Sequence, residues 1–254
     1  MTEGLNLPPV FWELHRGLPR QGPGEDVHTG RAFAALGALA AQPRIVDVGC
    51  GPGMQTLELA RLSQSRVTAV DNHQPFLREL QERAAQASLS GHITPCVGDM
   101  LRLPFGASSV DLFWSEGAIY LAGFEAGLRA WRPMLRAGGF AVVTEATWLA
   151  KHPPEPLARF WAEGYPGLAS AEENVRRAEA AGYRLIERFA LPPEAWWTHY
   201  YTPLEARLPD QRRRHAHDPE ALAALDAEAE EIELFRRYSD YYGYVFYVLQ
   251  RTGA

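Results

Sequence analysis

Three carboxylates stand at places where chemistry gathers in an α/β chain. Asp47 sits inside the apolar run Ile45–Val48, two residues before the first of three glycines at alternate positions: Gly49, Gly51 and Gly53. The segment after them, Met54 to Leu62, has apolar residues at helical spacing. The glycines therefore lie on a strand-to-helix turn, where missing Cβ atoms let the backbone turn tightly and approach a ligand. The helix start adds free N–H groups. A carboxylate beside such a turn repels a pyrophosphate and suits a ligand carrying an ammonium or sulfonium group. Asp71 ends a second apolar strand, Val67 to Val70, and an acid there can accept both hydroxyls of a ribose. Gly98-Asp99-Met100 follows a third strand.

Together, Val46-Asp47-Val48-Gly49-Cys50-Gly51-Pro52-Gly53 and Val70-Asp71 resemble the class I S-adenosylmethionine-dependent methyltransferases, of the type 11/25-like, small-molecule kind. That resemblance implies an α/β fold with a Rossmann-like seven-stranded sheet, mostly parallel, its last strand antiparallel. It implies S-adenosylmethionine as cofactor and S-adenosylhomocysteine as product. Asp47, Gly49, Cys50, Gly51 and Gly53 would form the cofactor turn. Asp71, with Asn72 beside it, would hold the ribose. Gly98, Asp99 and Met100 would border the adenine, and Ser115 would close the site at the fourth strand end. In many such enzymes an N-terminal segment folds over the cofactor, and Arg20 or Gln21 would then meet the methionyl carboxylate. Leu135-Arg136-Ala137-Gly138-Gly139-Phe140 resembles the family's Leu-x-Pro-Gly-Gly turn, with Ala137 in place of the proline. The ensemble Leu18–Gly24, Ser115–Tyr120 and Trp196–Tyr200 is similar to bacterial members of this group.

The elements that must position these residues follow in order. Residues 1–25 are rich in Pro and Gly, yet Phe11, Trp12 and Leu14 suggest a packed segment. A helix is expected over 26–41, capped by Asp26 or Thr29. Strand, turn and helix occupy 44–62. A second strand (66–70), a helix (74–89) and a third strand, Ile93 to Val97, follow. The fourth strand, Val110 to Trp114, runs into Ser115-Glu116-Gly117-Ala118. Nucleic-acid amino methyltransferases carry Asn/Asp-Pro-Pro-aromatic there, so that acceptor is disfavoured. A helix over 123–135 precedes a fifth strand over 140–147. Residues 150–168 and 192–240 read as lid or substrate-binding insertions. Between them lie a helix over 170–181 and a sixth strand over 183–190. An acidic helix over 219–238 and a strand from Tyr241 to Leu249 end the chain, read as a single domain over 1–254.

In an open parallel sheet, ligands bind beyond the strand carboxyl ends. Alignment of an acceptor behind an activated methyl can carry much of the catalysis. A base is needed only if the acceptor must lose a proton. Glu116, Tyr120, His199 and Tyr200 are the candidates. Trp196, Trp197 and Tyr201, with Glu116, could wall a pocket for a cationic acceptor, or simply pack in a core.

At 254 residues, 46% hydrophobic and 22% charged, the chain can bury a sizeable core. Its net charge of −6 argues against a nucleic-acid backbone as partner. No apolar run reaches a membrane span, and the N-terminus lacks the pattern of a secretory signal. Cys50 and Cys96 make neither a disulfide framework nor a zinc site, and a reducing cytoplasm is the expected setting. His215 and His217 lack further metal ligands nearby, so no metal is expected. The favoured reading is methyl transfer to a small molecule, with an amine as one acceptor. The alternatives are a cofactor-binding protein without transfer, a protein or nucleic-acid acceptor, and a nicotinamide oxidoreductase. A monomer and a homodimer both fit.

Overall fold

The computed structural model describes residues 8–253. The first seven residues of the expected N-terminal covering segment, and Ala254, lie outside the described residues.

Eight strands form one sheet: β1 (Ile45–Val48), β2 (Val67–Asp71), β3 (Ile93–Val97), β4 (Val110–Ser115), β5 (Leu135–Trp148), β6 (Ala169–Ser170), β7 (Tyr183–Ala190) and β8 (Tyr242–Arg251). The strand order is β3-β2-β1-β4-β5-β8-β7, with β6 paired to the end of β5. Neighbours from β3 to β5 are parallel. β8 runs antiparallel to both β5 and β7. The central strands are buried on both faces, which is why Ile45–Val48 and Val110–Trp114 read as continuous apolar runs. In β4, Leu112 and Trp114 enter one core layer and Phe113 the opposite one.

Helices α1 (Pro9–His15), α2 (Asp26–Ala34), α3 (Met54–Ser63), α4 (Gln74–Gln86), α5 (Phe124–Trp131), α6 (Glu155–Gly164) and α7 (Ala171–Ala180) cover the sheet and its carboxyl end. One layer holds Ala32, Leu59, Leu77 and Leu80 against the sheet; the other holds Leu128, Trp131 and Ala178. A third cluster stands apart. It joins α1 and Leu157 of α6 to the insertion after β7. That insertion comprises α8 (Glu194–Trp196), a π-helical turn (Trp197–Tyr201), α9 (Thr202–Arg214) and α10 (Pro219–Tyr238).

Several boundaries differ from the sequence expectation. α2 ends at Ala34 rather than near residue 41. At Gly37 the chain passes so close to Phe140 that a Cβ would lie 3.3 Å from its ring. Neither Asp26 nor Thr29 caps α2: Glu25 precedes it without a side-chain bond, and Thr29 bonds Glu116 instead. α4 stops at Gln86 rather than 89, and α5 spans 124–131 rather than 123–135. β5 is longer at both ends than 140–147, because the glycine turn at Gly138-Gly139 is itself taken into the strand. The two-residue β6 makes an eighth strand where seven were expected.

Candidate active site

The glycine turn is built by backbone bonds. Gly49, Gly51 and Gly53 all have positive φ, at 69°, 53° and 86°. At Gly53 a Cβ would lie 2.1 Å from Leu80 Cδ1, so the close packing of α3 on α4 excludes one. The Gly49 and Cys50 N–H groups both donate to the Val70 carbonyl, at 2.8 and 3.0 Å. Gly51 N–H donates to Asp71 Oδ2 at 2.8 Å, and Gly53 N–H to the Cys50 carbonyl at 3.1 Å. Pro52 has no N–H. From Gly49 to Gly53, then, every amide donor is already committed, and the turn cannot cradle a pyrophosphate as dinucleotide loops do.

What the turn presents instead is carboxylate. Asp47 is fully buried. Its Oδ2 accepts from Thr56 Oγ1 at 2.6 Å, while Oδ1 has no partner among the described residues. Burial pushes this carboxyl up to about 7, against the Thr56 hydrogen bond. Asp71 accepts from Gly51 N–H and, through Oδ1, from His73 N–H at 2.7 Å. Burial raises its carboxyl, and those backbone donors partly offset the rise. Each Asp71 oxygen keeps a lone pair for a further donor. Asp99 Oδ1 accepts from Leu101 N–H at 2.9 Å, and Trp131 Nε1 ties down the Met100 carbonyl at 2.8 Å. A Cβ on Gly49 would lie 3.8 Å from Met100 Cε, so Met100 borders the turn. Asn72 lies exposed beside Asp71.

The N-terminal segment closes over this turn. A Cβ on Gly51 would meet Gln21 Cγ at 3.5 Å. Arg83 on α4 donates to the Pro19 and Leu18 carbonyls, each at 2.8 Å. Trp12 stacks on His73 at 4.0 Å with 5° between planes. Arg20 is 4% exposed, and its charge reaches Asp47. An unpartnered carboxylate oxygen on Asp47 near the buried Arg20 forms a pair of opposite charges suited to the ammonium and carboxylate of an amino-acid group. Arg20 Nε and Ser115 Oγ are also buried without partners. These residues fit an aminoacyl-nucleoside lying along the turn.

Residues 45–139 match the family model described as a methyltransferase domain. The match runs from β1 into β5 and takes in the glycine turn, Asp71 and Asp99. In fold, the chain is similar to the S-adenosylmethionine-dependent methyltransferases of Geobacter sulfurreducens and Thiobacillus denitrificans, both solved with S-adenosyl-L-homocysteine. The TM-scores are 0.81 and 0.82, each at 20% identity, covering 98% and 97% of this chain and 100% and 99% of theirs. In sequence it is 26% identical over 145 residues to the O-methyltransferase cnsE of Penicillium expansum, covering 56% of this chain and 52% of that protein. It is 22% identical over 204 residues to the sterol 24-C-methyltransferase erg-4 of Neurospora crassa, covering 74% and 53%. The chain spans about half the length of these curated relatives.

Around the carboxyl end of β4 and in the insertion after β7, the structure departs from several sequence expectations. Glu116 is not a free base. Its Oε2 accepts from Arg20 Nη1 at 2.6 Å, and its Oε1 from Thr29 Oγ1 at 2.7 Å and Trp114 Nε1 at 2.8 Å. With its side chain 2% exposed, the carboxylate is filled by protein donors and holds Arg20 rather than a substrate. Trp196 and Tyr201 do not wall a pocket for a cation beside Glu116. They are 2% and 0% exposed in the third core cluster; Trp196 stacks on Phe235 at 4.2 Å, and the Tyr201 hydroxyl donates to Glu231 at 2.8 Å. Trp197 packs against the same cluster under the Arg236 guanidinium. His199 lies half-buried on the π-helical turn and bonds to no other site residue among those described. The Cys50 thiol is 1% exposed, and burial raises it well above its usual range, so it is inert as a nucleophile.

Tyr120 lies on the turn after β4 and Tyr200 on the π-helical turn. Tyr120 meets the Tyr165 ring edge-on at 5.8 Å, and Tyr200 stacks on Tyr201 at 5.0 Å. Glu145 falls within the fifth strand expected over 140–147 and was not among the candidate site residues. The structure buries it there at 2% exposure. Thr29 carried no sequence signal for fixing Glu116, because the two are 87 residues apart; Trp114 stands two residues before it.

Proposed function

We propose that this protein transfers a methyl group from S-adenosylmethionine to a small molecule, releasing S-adenosylhomocysteine. The observation that carries this is the glycine turn whose own amides are all committed, flanked by Asp47, whose Oδ1 has no partner among the described residues, and by the buried Arg20. S-adenosylmethionine supplies a methyl already activated by its cationic sulfur. In this reading Asp47 holds the ammonium, Arg20 the carboxylate, Asp71 with Asn72 the ribose, and Gly98, Asp99 and Met100 the adenine edge. The N-terminal segment excludes water from this end of the site. Residues 150–168 and 192–240 enclose the acceptor and exclude large partners such as duplex nucleic acid. The acidic balance of −6 supports the same exclusion.

For the acceptor, an amine is favoured by the carboxylates and phenols near the end of β5. The relatives include O- and C-methyltransferases, so hydroxyl compounds belong in the same screen. Two unpaired cysteines support a cytoplasmic setting. The test is methyl-labelled S-adenosylmethionine incubated with panels of small amines and hydroxyl compounds. Label transfer by the wild type and its loss in Asp71→Ala supports the reading. Label transfer to none of them, despite cofactor binding, would leave a binding protein.

A further inference from the structure

The carboxyl end of β5 holds a carboxylate that no other part of the site explains. Glu145 is 2% exposed, and neither oxygen completes a hydrogen bond among the described residues. A buried carboxyl without partners is costly and marks a place where a ligand completes the bonding. Four elements surround it. Tyr120 comes from the turn after β4, and Tyr165 from the loop after α6. Arg177 comes from α7, and Tyr247 from β8 on the same face of the sheet. The Tyr165 hydroxyl approaches the carboxylate without closing a well-formed bond. Arg177 is the cation within reach, yet it is spent elsewhere, donating to the Gly167 carbonyl at 2.9 Å and pairing with Glu173 at 3.5 Å. Tyr247 is bonded to Thr147 at 3.1 Å and to Asn174 at 3.3 Å. Tyr120 keeps 37% of its surface exposed, which leaves one side of the group open.

We propose that Glu145, with the rings of Tyr120 and Tyr165, is the site for a cationic nitrogen of the methyl acceptor. The rings offer negative π faces and Glu145 the counter-charge. The site lies at the end of the strand beside β4, the position where an acceptor must stand behind the methyl group. For an ammonium acceptor, one N–H bond breaks and an O–H bond forms on a Glu145 oxygen. The nitrogen lone pair is then free, and the proton later leaves to solvent. Burial pushes the Glu145 carboxyl up to about 8, the Tyr165 hydroxyl and Arg177 acting against it, so it can take and return a proton near neutrality. This proposal rests on the methyltransferase reading for its role, but the site itself is tested without turnover.

The probes are choline and its neutral isostere 3,3-dimethylbutan-1-ol, titrated by calorimetry with and without S-adenosylhomocysteine. Choline carries a permanent charge, so any pH dependence belongs to the protein. Wild type should bind choline about 10-fold or more tighter than the alcohol, and more tightly at pH 9 than at pH 7 as Glu145 ionises. Glu145→Gln has the same shape and should lose both the preference and the pH dependence while binding S-adenosylhomocysteine as wild type does. Equal binding of the two probes, no choline binding, or a preference retained in Glu145→Gln would overturn the site. Failure of S-adenosylhomocysteine to bind wild type would overturn the cofactor reading instead, and the titration without it would still report on Glu145.

Discussion

Arg20 and Glu116 form a buried ion pair, Nη1 to Oε2 2.6 Å, across 96 residues of sequence. Their side chains are 3% and 2% exposed. Thr29 bonds both partners, and Trp114 adds a third donor to Glu116. One contact thus ties the segment over the glycine turn to the carboxyl end of β4. Removing one partner leaves the other charge buried, which costs about 3–5 kcal/mol. Arg20→Met should therefore destabilise strongly in urea unfolding, and Arg20→Met with Glu116→Gln should recover much of the loss. Equal stability of the double and single variants would contradict the pairing.

Arg83 should govern the covering segment separately from the core. It donates to two carbonyls, at Leu18 and Pro19. Hydrogen bonds from a charged donor contribute about 1.5–3 kcal/mol. Arg83→Met should speed amide exchange over residues 16–24 and weaken S-adenosylhomocysteine binding several-fold. Exchange in β1 and β4 should stay slow. Unchanged exchange at 16–24 would show that the segment is held otherwise.

The pH dependence of stability has a definite sign. Asp47 and Glu231 are pushed up to about 7, and Glu145 to about 8, from ordinary values of 3.8, 4.5 and 4.5, mainly by burial. The unfolded chain ionises these groups first, so the folded state binds more protons between those limits. Their contribution to stability is full below about pH 4 and falls as pH rises towards 8. The melting temperature should be higher at pH 5.5 than at pH 8.5. Asp47→Asn and Glu145→Gln should each flatten that slope. A melting temperature that rises with pH would refute the assignment.

Trp196 distinguishes core from pocket. It is 2% exposed and contacts Phe235, Tyr201, Tyr242 and Tyr244. Trp196→Ala should cost about 3–5 kcal/mol of stability. Trp196→Phe, which keeps much of the volume, should fold and retain acceptor binding. Loss of binding at unchanged stability would return Trp196 to the pocket.

The turn proposed to hold the cofactor was legible as an element because its parts are local. Asp47, the three glycines and Asp71 lie on two strands and one turn, and hydrophobic period alone places those elements. The mostly parallel sheet with its last strand antiparallel was implied by the family resemblance, not by the period. The acceptor side was not legible. A run of aromatics such as Trp196–Tyr201 has the same composition in a core as in a pocket, and only the packing of α9 and α10 on α1 separates the two. The role of Glu116 depends on Arg20, and that of Glu145 on Tyr165 and Tyr120. Such pairings arise from the assembled fold, not from spacing within one element.

The central claim is that Asp47, Asp71 and Arg20 form a cradle for S-adenosylmethionine. Calorimetric titration of S-adenosylhomocysteine into wild type and Asp71→Ala tests it most directly. Micromolar-range binding to wild type, weakened about 30-fold or more when the Asp71 acceptor oxygens are removed, is the predicted result. No binding to wild type, or equal binding to both proteins, would contradict the account.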